Sequence, residues 1–374
     1  VLTFVVTNRA SYNRIKTIVS NLQNFIVPHF ILGSSIFLYK YGDMIKQMSE
    51  DFPNTRIHKS VMAVDSDSLV KMPKGIGLGT VEIAGILDNI ETDGVVTIAD
   101  RFETMATAIS ASCMNIPLFH IQGGETSGTI DNKIRNAITQ LSDYHFPATH
   151  KAADRICRMN SCASKFFNVF PYGCPSMDLL DVDNRDRKYI IEEINNTGNG
   201  DLLDYEKKYM IVILHQDTIN PISPDQLLDF HKALEYIDIQ KIIFWNNIDP
   251  GGDKISKLWR LDQRIDKYNN TRYIRHINPE LMGALLRNSE GIVGNSSTGI
   301  REATFLGIPS MTVGYRQMNR ECGTTIAHVY DFSLDRMVEV MNDFKTVARK
   351  RNYRYGYGDA GKKIANAIGD ILCR

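Results

Sequence analysis

Charge of either sign is not in excess in this chain: Lys+Arg and Asp+Glu each number 43 among 374 residues, so the formal net charge is zero. A neutral chain has no global electrostatic pull toward nucleic acid or an anionic membrane, and only local basic pockets remain open to it. Neither partner is expected. Long apolar runs are missing too. The first one, VLTFVV, is far too short for a bilayer and continues into a polar, Arg-bearing turn, so it reads as a β-strand rather than a signal peptide. The six cysteines, at 113, 157, 162, 174, 322 and 373, include no CxxC and no paired His spacing. That excludes the common zinc and thiol-redox motifs, and in a chain of this size reduced thiols in a cytoplasmic protein are expected. No repeat of solenoid length and no low-complexity tract is found.

What is present is a soluble globular composition, 43% hydrophobic and 23% charged, long enough for two domains. Apolar strands alternate with helical patterns from the start. LTFVVT, FIVPHFILG and GVVTIAD read as strands, and YNRIKTIVSNLQN and TVEIAGILDNIE as helices between them. TMATAISASCM, IPLFHI and DNKIRNAITQLS continue the alternation, which predicts parallel βαβ units. FFNVFPYGCPSMDLL reads as the last strand and turn of a first domain, residues 1–180. The polar stretch DVDNRDRKYIIEEINNTGNGDLL can hold a boundary. A second series, YMIVILH, KIIFWNN, TRYIRHI and GIVGNSS, predicts a second domain over 181–350. A helix in 351–374 could pack on either half. The expected class is α/β, with two Rossmann-like domains facing across a cleft.

Ligands in open α/β sheets bind at the carboxyl ends of the strands. GVVTIA delivers Asp100 to such an end, and IPLFHI delivers Gln122, Gly123, Gly124 and Glu125. Together with Asp131 these acidic and amide groups suit proton transfer on a polar substrate. In the second half, GNSSTGIREATFLGIP reads as a strand ending at Gly294, a turn, and a helix running to Gly307. The hydroxyls and N–H groups of Ser296 and Ser297 would face an anion at that helix start, with Glu302 placed for hydroxyls such as those of a ribose. An ordinary helix cap would use the same residues. The turn is neither a Walker A sequence nor GxGxxG, which disfavours kinase or NAD chemistry. Arg9 in TNRASYNRIK lies before a helix, where a guanidinium can reach a diphosphate; a solvated helix start is the alternative. His215 closes YMIVILH at a strand end, as a proton-transfer group or as a satisfied buried imidazole. YRQMNRE adds Arg316, Gln317 and Arg320 after another strand.

Several of these segments together resemble the UDP-N-acetylglucosamine 2-epimerases, specifically the hydrolysing, sialic-acid-type branch. DRFETMATA is similar to that family's GDR-x-E-x-LA, and HIQGGETSGTIDNKIRNAI to its HIEGGE-x-SGT-[IV]-DD-x-IRH-x-I. GCPSMD, GNSSTGIRE and VGYRQMNR match GCPSxD, GNSSxGxRE and GxRQxxR, in the same order, across about residues 5 to 330. The resemblance implies a two-domain, glycosyltransferase-B-like fold with a UDP-sugar in the cleft. It assigns acid/base positions to Asp100, Gln122, Asp131 and His215. It puts Arg9, Lys16, Arg101, Glu125, Arg135, His276, Ser296, Ser297, Glu302, Arg316 and Arg320 on or beside UDP-sugar-binding motifs. No metal or redox cofactor is implied, and a homo-oligomer, dimer or tetramer, is expected.

The chemistry is consistent with those residue types. The C2 hydrogen of a GlcNAc unit is barely acidic, so it is best removed once C1–O cleavage has begun. In the reaction that the resemblance implies, Arg and N–H donors would stabilise the departing diphosphate, while a carboxylate or His would take the C2 proton. The products are a 2-acetamidoglucal and UDP; protonation at the other face of C2 and addition of water at C1 then give N-acetylmannosamine. Departures from the family pattern stand beside this. The usual TGTRAD turn reads VTNRAS, with Thr7 for Gly and Ser11 for Asp, Ala99 replaces a Gly, and residue 122 is Gln where the family has Glu. These departures leave the sugar open between GlcNAc and a deoxy-diacetamido sugar, and the identity of the base open as well. A non-hydrolysing epimerase, a UDP-sugar-binding protein without turnover and a glycosyltransferase of similar fold are the alternatives.

Overall fold

The computed structural model describes residues 1–22, 26–37, 44–64, 68–159, 168–246, 251–264, 270–275 and 277–373. They form two compact units: Val1–Thr126, Ile130–Leu179 and Tyr355–Arg374 in the first, Ser127–Thr129 and Leu180–Arg354 in the second.

The first unit runs β1 (Leu2–Val6), α1 (Arg9–Asn13), α2 (Lys16–Leu22), β2 (Pro28–Leu32), α3 (Met44–Asp51), β3 (Arg56–Lys59), α4 (Lys71–Ile90) and β4 (Gly94–Ile98). It continues with α5 (Thr104–Cys113), β5 (Leu118–Ile121), α6 (Asp131–Leu141), β6 (Tyr144–Phe146) and α7 (His150–Met159). The six strands are ordered β3-β2-β1-β4-β5-β6 and all pair in parallel. This 3-2-1-4-5-6 order is that of a Rossmann sheet. Its inner strands are buried on both faces, which is why LTFVV and GVVTI are apolar but for one threonine each. One face packs Phe4, Phe30, Phe119 and Ile364; the other packs Val5, Val95, Leu118, Ile83 and Ile138.

The second unit runs α8 (Arg187–Thr197), β7 (Asn199–Gly200), β8 (Tyr209–Ile213), α9 (Pro224–Tyr236), β9 (Gln240–Phe244), α10 (Gly252–Arg264) and β10 (Thr271–Ile274). Then come α11 (Pro279–Asn288), β11 (Ile292–Gly294), α12 (Arg301–Leu306), β12 (Ser310–Val313), β13 (Ile326–Val329) and α13 (Leu334–Asp343). The order β13-β12-β11-β8-β9-β10-β7 repeats the Rossmann order from β8 onward, with β7 added antiparallel at one edge. Gly294 has φ +132, and a Cβ there would lie 2.0 Å from the Ile213 carbonyl oxygen, so only glycine lets β11 leave the sheet beside β8.

α14 (Ala360–Leu372) packs on α2 in the first unit, which resolves the choice the sequence left open. Asp178 accepts from the Ala360 and Gly361 N–H groups at 3.1 and 2.7 Å and from the Thr17 hydroxyl at 2.9 Å. Burial raises its pKa against those three hydrogen bonds. Two expectations need correction. The strand expected in FFNVFPYGCPSMDLL is, among its described residues, one bridge from His145 to Val169 and a 3-10 turn over Pro175–Leu179; Pro171 and Pro175 lack the N–H that a strand would use. Second, α4 begins nine residues earlier than the TVEIAGILDNIE pattern. The polar stretch that follows Leu180 carries α8, capped by the Asp186 carboxylate on the Tyr189 N–H at 2.9 Å. Among the described residues no helix is long and apolar enough to cross a membrane.

Candidate functional site

In the first unit three strands leave the sheet through a non-glycine residue in the left-handed region: Ser34 after β2 (φ 54), Ala99 after β4 (φ 60) and Gln122 after β5 (φ 65). Each costs about 1–3 kcal/mol, a strain that is kept where the surrounding structure holds it and that gathers at functional sites. Ala99 places Asp100, buried at 6% exposure. The Arg135 guanidinium, fully buried on α6, donates to the Asp100 carboxylate and, at 2.7 Å, to the Glu125 carbonyl oxygen. One side chain thus joins the β4 end, the β5 end and α6. Asp131 is the first residue of α6, half-buried, one turn before Arg135.

Gln122 is fully buried. Its N–H donates to the Phe146 carbonyl at 2.9 Å and its side-chain NH2 to the Cys174 sulfur at 2.6 Å. Glu125 is buried as well. Arg101, next to Asp100, donates through Nε and Nη2 to Glu103 at 3.3 Å each.

Arg9 differs from expectation. It is the first residue of α1 rather than a residue before it, because the Asn8 side chain accepts from the Ser11 N–H at 2.9 Å and caps the helix one position earlier. Burial lowers its pKa to about 10. Lys16 opens α2, and its ammonium lies 2.9 Å from Asp51, whose carboxylate also takes the Tyr12 hydroxyl.

In the second unit Asn295 is the hub. Its side-chain oxygen accepts from the His215 N–H and its NH2 donates to the His215 carbonyl, both at 2.7 Å. Its own carbonyl accepts from Gln317 at 2.8 Å and Arg316 at 3.2 Å. The ends of β8, β11 and β12 are thereby tied, which brings His215, Ser296, Ser297 and Arg316 to one sheet edge, and the Arg320 N–H donates to the Gln317 carbonyl at 3.2 Å in the turn that follows. The single helix expected after Gly294 is a 3-10 turn over Ser297–Gly299 followed by the short α12, with Gly307 at its left-handed end (φ 70). The Ser296 hydroxyl accepts from the Thr298 N–H at 3.3 Å, so it makes the cap of that turn. Glu302 lies in the first turn of α12. His276 lies outside the described residues, as does Cys162. The other five cysteines are free thiols, and among the described residues no group of three metal-ligating side chains converges.

Under the β5 end, His120 lies 2.9 Å by Nε2 from the Ala99 carbonyl and 3.3 Å by Nδ1 from the Thr139 hydroxyl. A carbonyl only accepts, so Nε2 carries the proton. Burial lowers the pKa of His120 to about 4 and that of its neighbour His145, on β6, to about 3. Both stay neutral in the fold, whereas unfolded histidines take up protons below about pH 6.5. The stability they contribute is therefore present above that pH and lost as pH falls. Between pH 7.5 and 5 the loss should be about 2 kcal/mol for each group. Urea denaturation across that range will show it, and a flat profile would contradict the buried neutral state.

The two sheets, each with its polar residues at the carboxyl edge, define an α/β protein of the glycosyltransferase-B-like class. A family model described as UDP-N-acetylglucosamine 2-epimerase matches residues 31–369, and the chain belongs to that family. A UDP-N-acetylglucosamine 2-epimerase of Neisseria meningitidis serogroup B is 30% identical, over 86% of this chain and 81% of its own length. A hydrolysing UDP-N,N'-diacetylbacillosamine 2-epimerase of Legionella pneumophila is 31% identical, over 80% and 77%. Among solved structures, the Methanocaldococcus jannaschii UDP-GlcNAc 2-epimerase in complex with UDP-GlcNAc and UDP superposes with a TM-score of 0.77 at 17% identity, covering 98% of this chain and 99% of that one.

Sequence reasoning missed Asn295 as an individual residue, and with it Glu103 and Cys174 as partners of site residues. GNSS and GCPS marked the positions of Asn295 and Cys174, but the contacts bridge 80 and 52 residues and have no local signature.

Proposed function

We propose that this chain is a hydrolysing UDP-sugar 2-epimerase, acting on UDP-GlcNAc or a UDP-linked deoxy-diacetamido sugar and releasing a mannosamine-type sugar and UDP. The observation that carries the acid/base part is Arg135 holding Asp100 against the Glu125 turn in the first unit. The hydrolysing Legionella relative supports release of the free sugar over return of a UDP-sugar. In this reading Asp100 and Asp131, with residue 122 beside them, act on C2 of the sugar. His215 is a further proton-transfer group. Ser296, Ser297, Glu302, Arg316 and Arg320 hold UDP, and Arg9, Lys16 and Arg101 assist at the diphosphate. The product would serve nonulosonic acid synthesis. Chromatography of nucleotides after incubation with UDP-GlcNAc tests it. UDP should accumulate; a UDP-sugar product without UDP would favour the non-hydrolysing reaction.

A second reading is favoured by one observation. Gln122 is a buried carboxamide, which cannot transfer a proton at neutral pH. In that reading the chain binds UDP-sugar with little or no turnover.

The UDP assignment has its own test. Replacing Ser296 and Ser297 together by Ala should weaken UDP binding by about 1–3 kcal/mol, the scale of lost anion hydrogen bonds. Calorimetry measures it. Unchanged affinity would leave Ser296 with its capping role alone.

A further inference from the structure

Glu103 belongs to the DRFETMATA motif, yet the reaction gives it no task. It is fully buried, at the N-cap position of α5, where a carboxylate could bond the helix N–H groups; it makes no such cap. Its carboxylate is turned elsewhere. Oε1 accepts from the Ser34 hydroxyl at 3.0 Å and from Arg101 Nη2 at 3.3 Å, while Oε2 accepts from Arg101 Nε at 3.3 Å. Ser34 and Arg101 sit just past β2 and β4, and the left-handed residues Ser34 and Ala99 set both turns. A single buried carboxylate therefore ties two strand ends through their side chains.

We propose that Glu103 is a positioning residue for Arg101, fixing which edge of its guanidinium meets the diphosphate of a UDP-sugar. The proposal rests on the reading of Arg101 as a UDP-sugar-binding residue. A guanidinium offers its N–H donors in a rigid planar fork. Glu103 holds the edge made by Nε and Nη2, which fixes the plane of the guanidinium and the direction in which it faces. The Phe102 ring, 5.6 Å from the guanidinium carbon, restricts the same group from one face. An arginine held in this way loses less freedom on binding than a mobile one, which is the advantage of preorganisation. Arg101 keeps a partly exposed side chain (16%) while Glu103 does not (1%), as expected if one meets ligand and the other only supports it.

The test is UDP binding by calorimetry, which needs no turnover, in Arg101→Gln, Glu103→Gln and the double variant. Each single change is expected to weaken UDP about 10- to 100-fold, the scale of an oriented charge-assisted hydrogen bond. The double variant should bind no more weakly than Arg101→Gln, since Glu103 acts only through Arg101. Glu103→Asp, which keeps the charge, should recover part of the loss; if Glu103→Gln does not fold, it takes the same place in the cycle. Parent-like binding by Glu103→Gln beside a weakened Arg101→Gln would overturn the positioning role and leave the UDP reading standing. Losses that add in the double variant would overturn it too. Unchanged binding by Arg101→Gln would sink the assignment of Arg101, and no UDP binding by the parent would sink the functional reading itself.

Discussion

Gln122→Glu is expected to raise turnover of UDP-GlcNAc by roughly a hundredfold or more, the usual worth of a positioned acid or base. The side chain at 122 is placed by its backbone: φ is 65, and its N–H is held on the Phe146 carbonyl at 2.9 Å. Gln and Glu have nearly the same shape, so the substitution changes the chemistry more than the placement. The Cys174 sulfur, which accepts from the carboxamide, carries an S–H that can turn to donate to a carboxylate. The parent chain should show weak or absent turnover with UDP binding intact. Steady-state kinetics beside UDP calorimetry on both chains gives the comparison. If the parent already turns over at a normal rate, the proton transfers belong to Asp100, Asp131 or His215.

Asp100→Asn, made in whichever of those chains is active, should lower turnover by roughly a hundredfold or more. The new carboxamide still offers an oxygen to Arg135, so the tie between the β4 and β5 ends is weakened but not removed. The negative charge and the ability to take a proton are lost. UDP affinity should stay nearly intact, because the residues proposed to hold UDP belong mainly to the second unit. That split separates a chemical role from general damage to the fold, which would lower both. Full turnover by Asp100→Asn would end its proposed role.

Apolar runs and their alternation made β1, β2, β4 and β5 of the first sheet and β8, β9, β10 and β11 of the second legible in the sequence. Each lies between neighbours and is buried on both faces, so almost every residue is apolar. β3 escaped notice for the opposite reason. It is an edge strand, RIHK, exposed at both ends and only half-buried between, and edge strands are commonly short and polar. The last helix was legible as a helix but not in its docking. Its place depends on Asp178, 182 residues from Ala360, and on close approach of Gly361 to Thr17, where a Cβ would lie 2.1 Å from the hydroxyl oxygen. Neither leaves a periodic trace.

The candidate site divides in the same way. Asp100 and Gln122 were legible because a charged or amide residue directly after a buried strand has one edge to occupy. The Arg135 clamp on Asp100 joins residues 35 apart, and Asn295 and His215 are 80 apart; such pairs exist only once the sheets have formed. Ser296 was readable equally as an anion donor or a cap, and the structure shows it capping.

The proposed reaction is elimination of UDP with removal of the C2 proton, followed by release of a free mannosamine-type sugar. Proton NMR of UDP-GlcNAc in deuterium oxide, with the Gln122→Glu chain, tests it most directly. The predicted result is UDP and free N-acetylmannosamine in equal amounts, with deuterium at C2. Formation of UDP-N-acetylmannosamine, or free sugar that keeps its C2 proton, would contradict it.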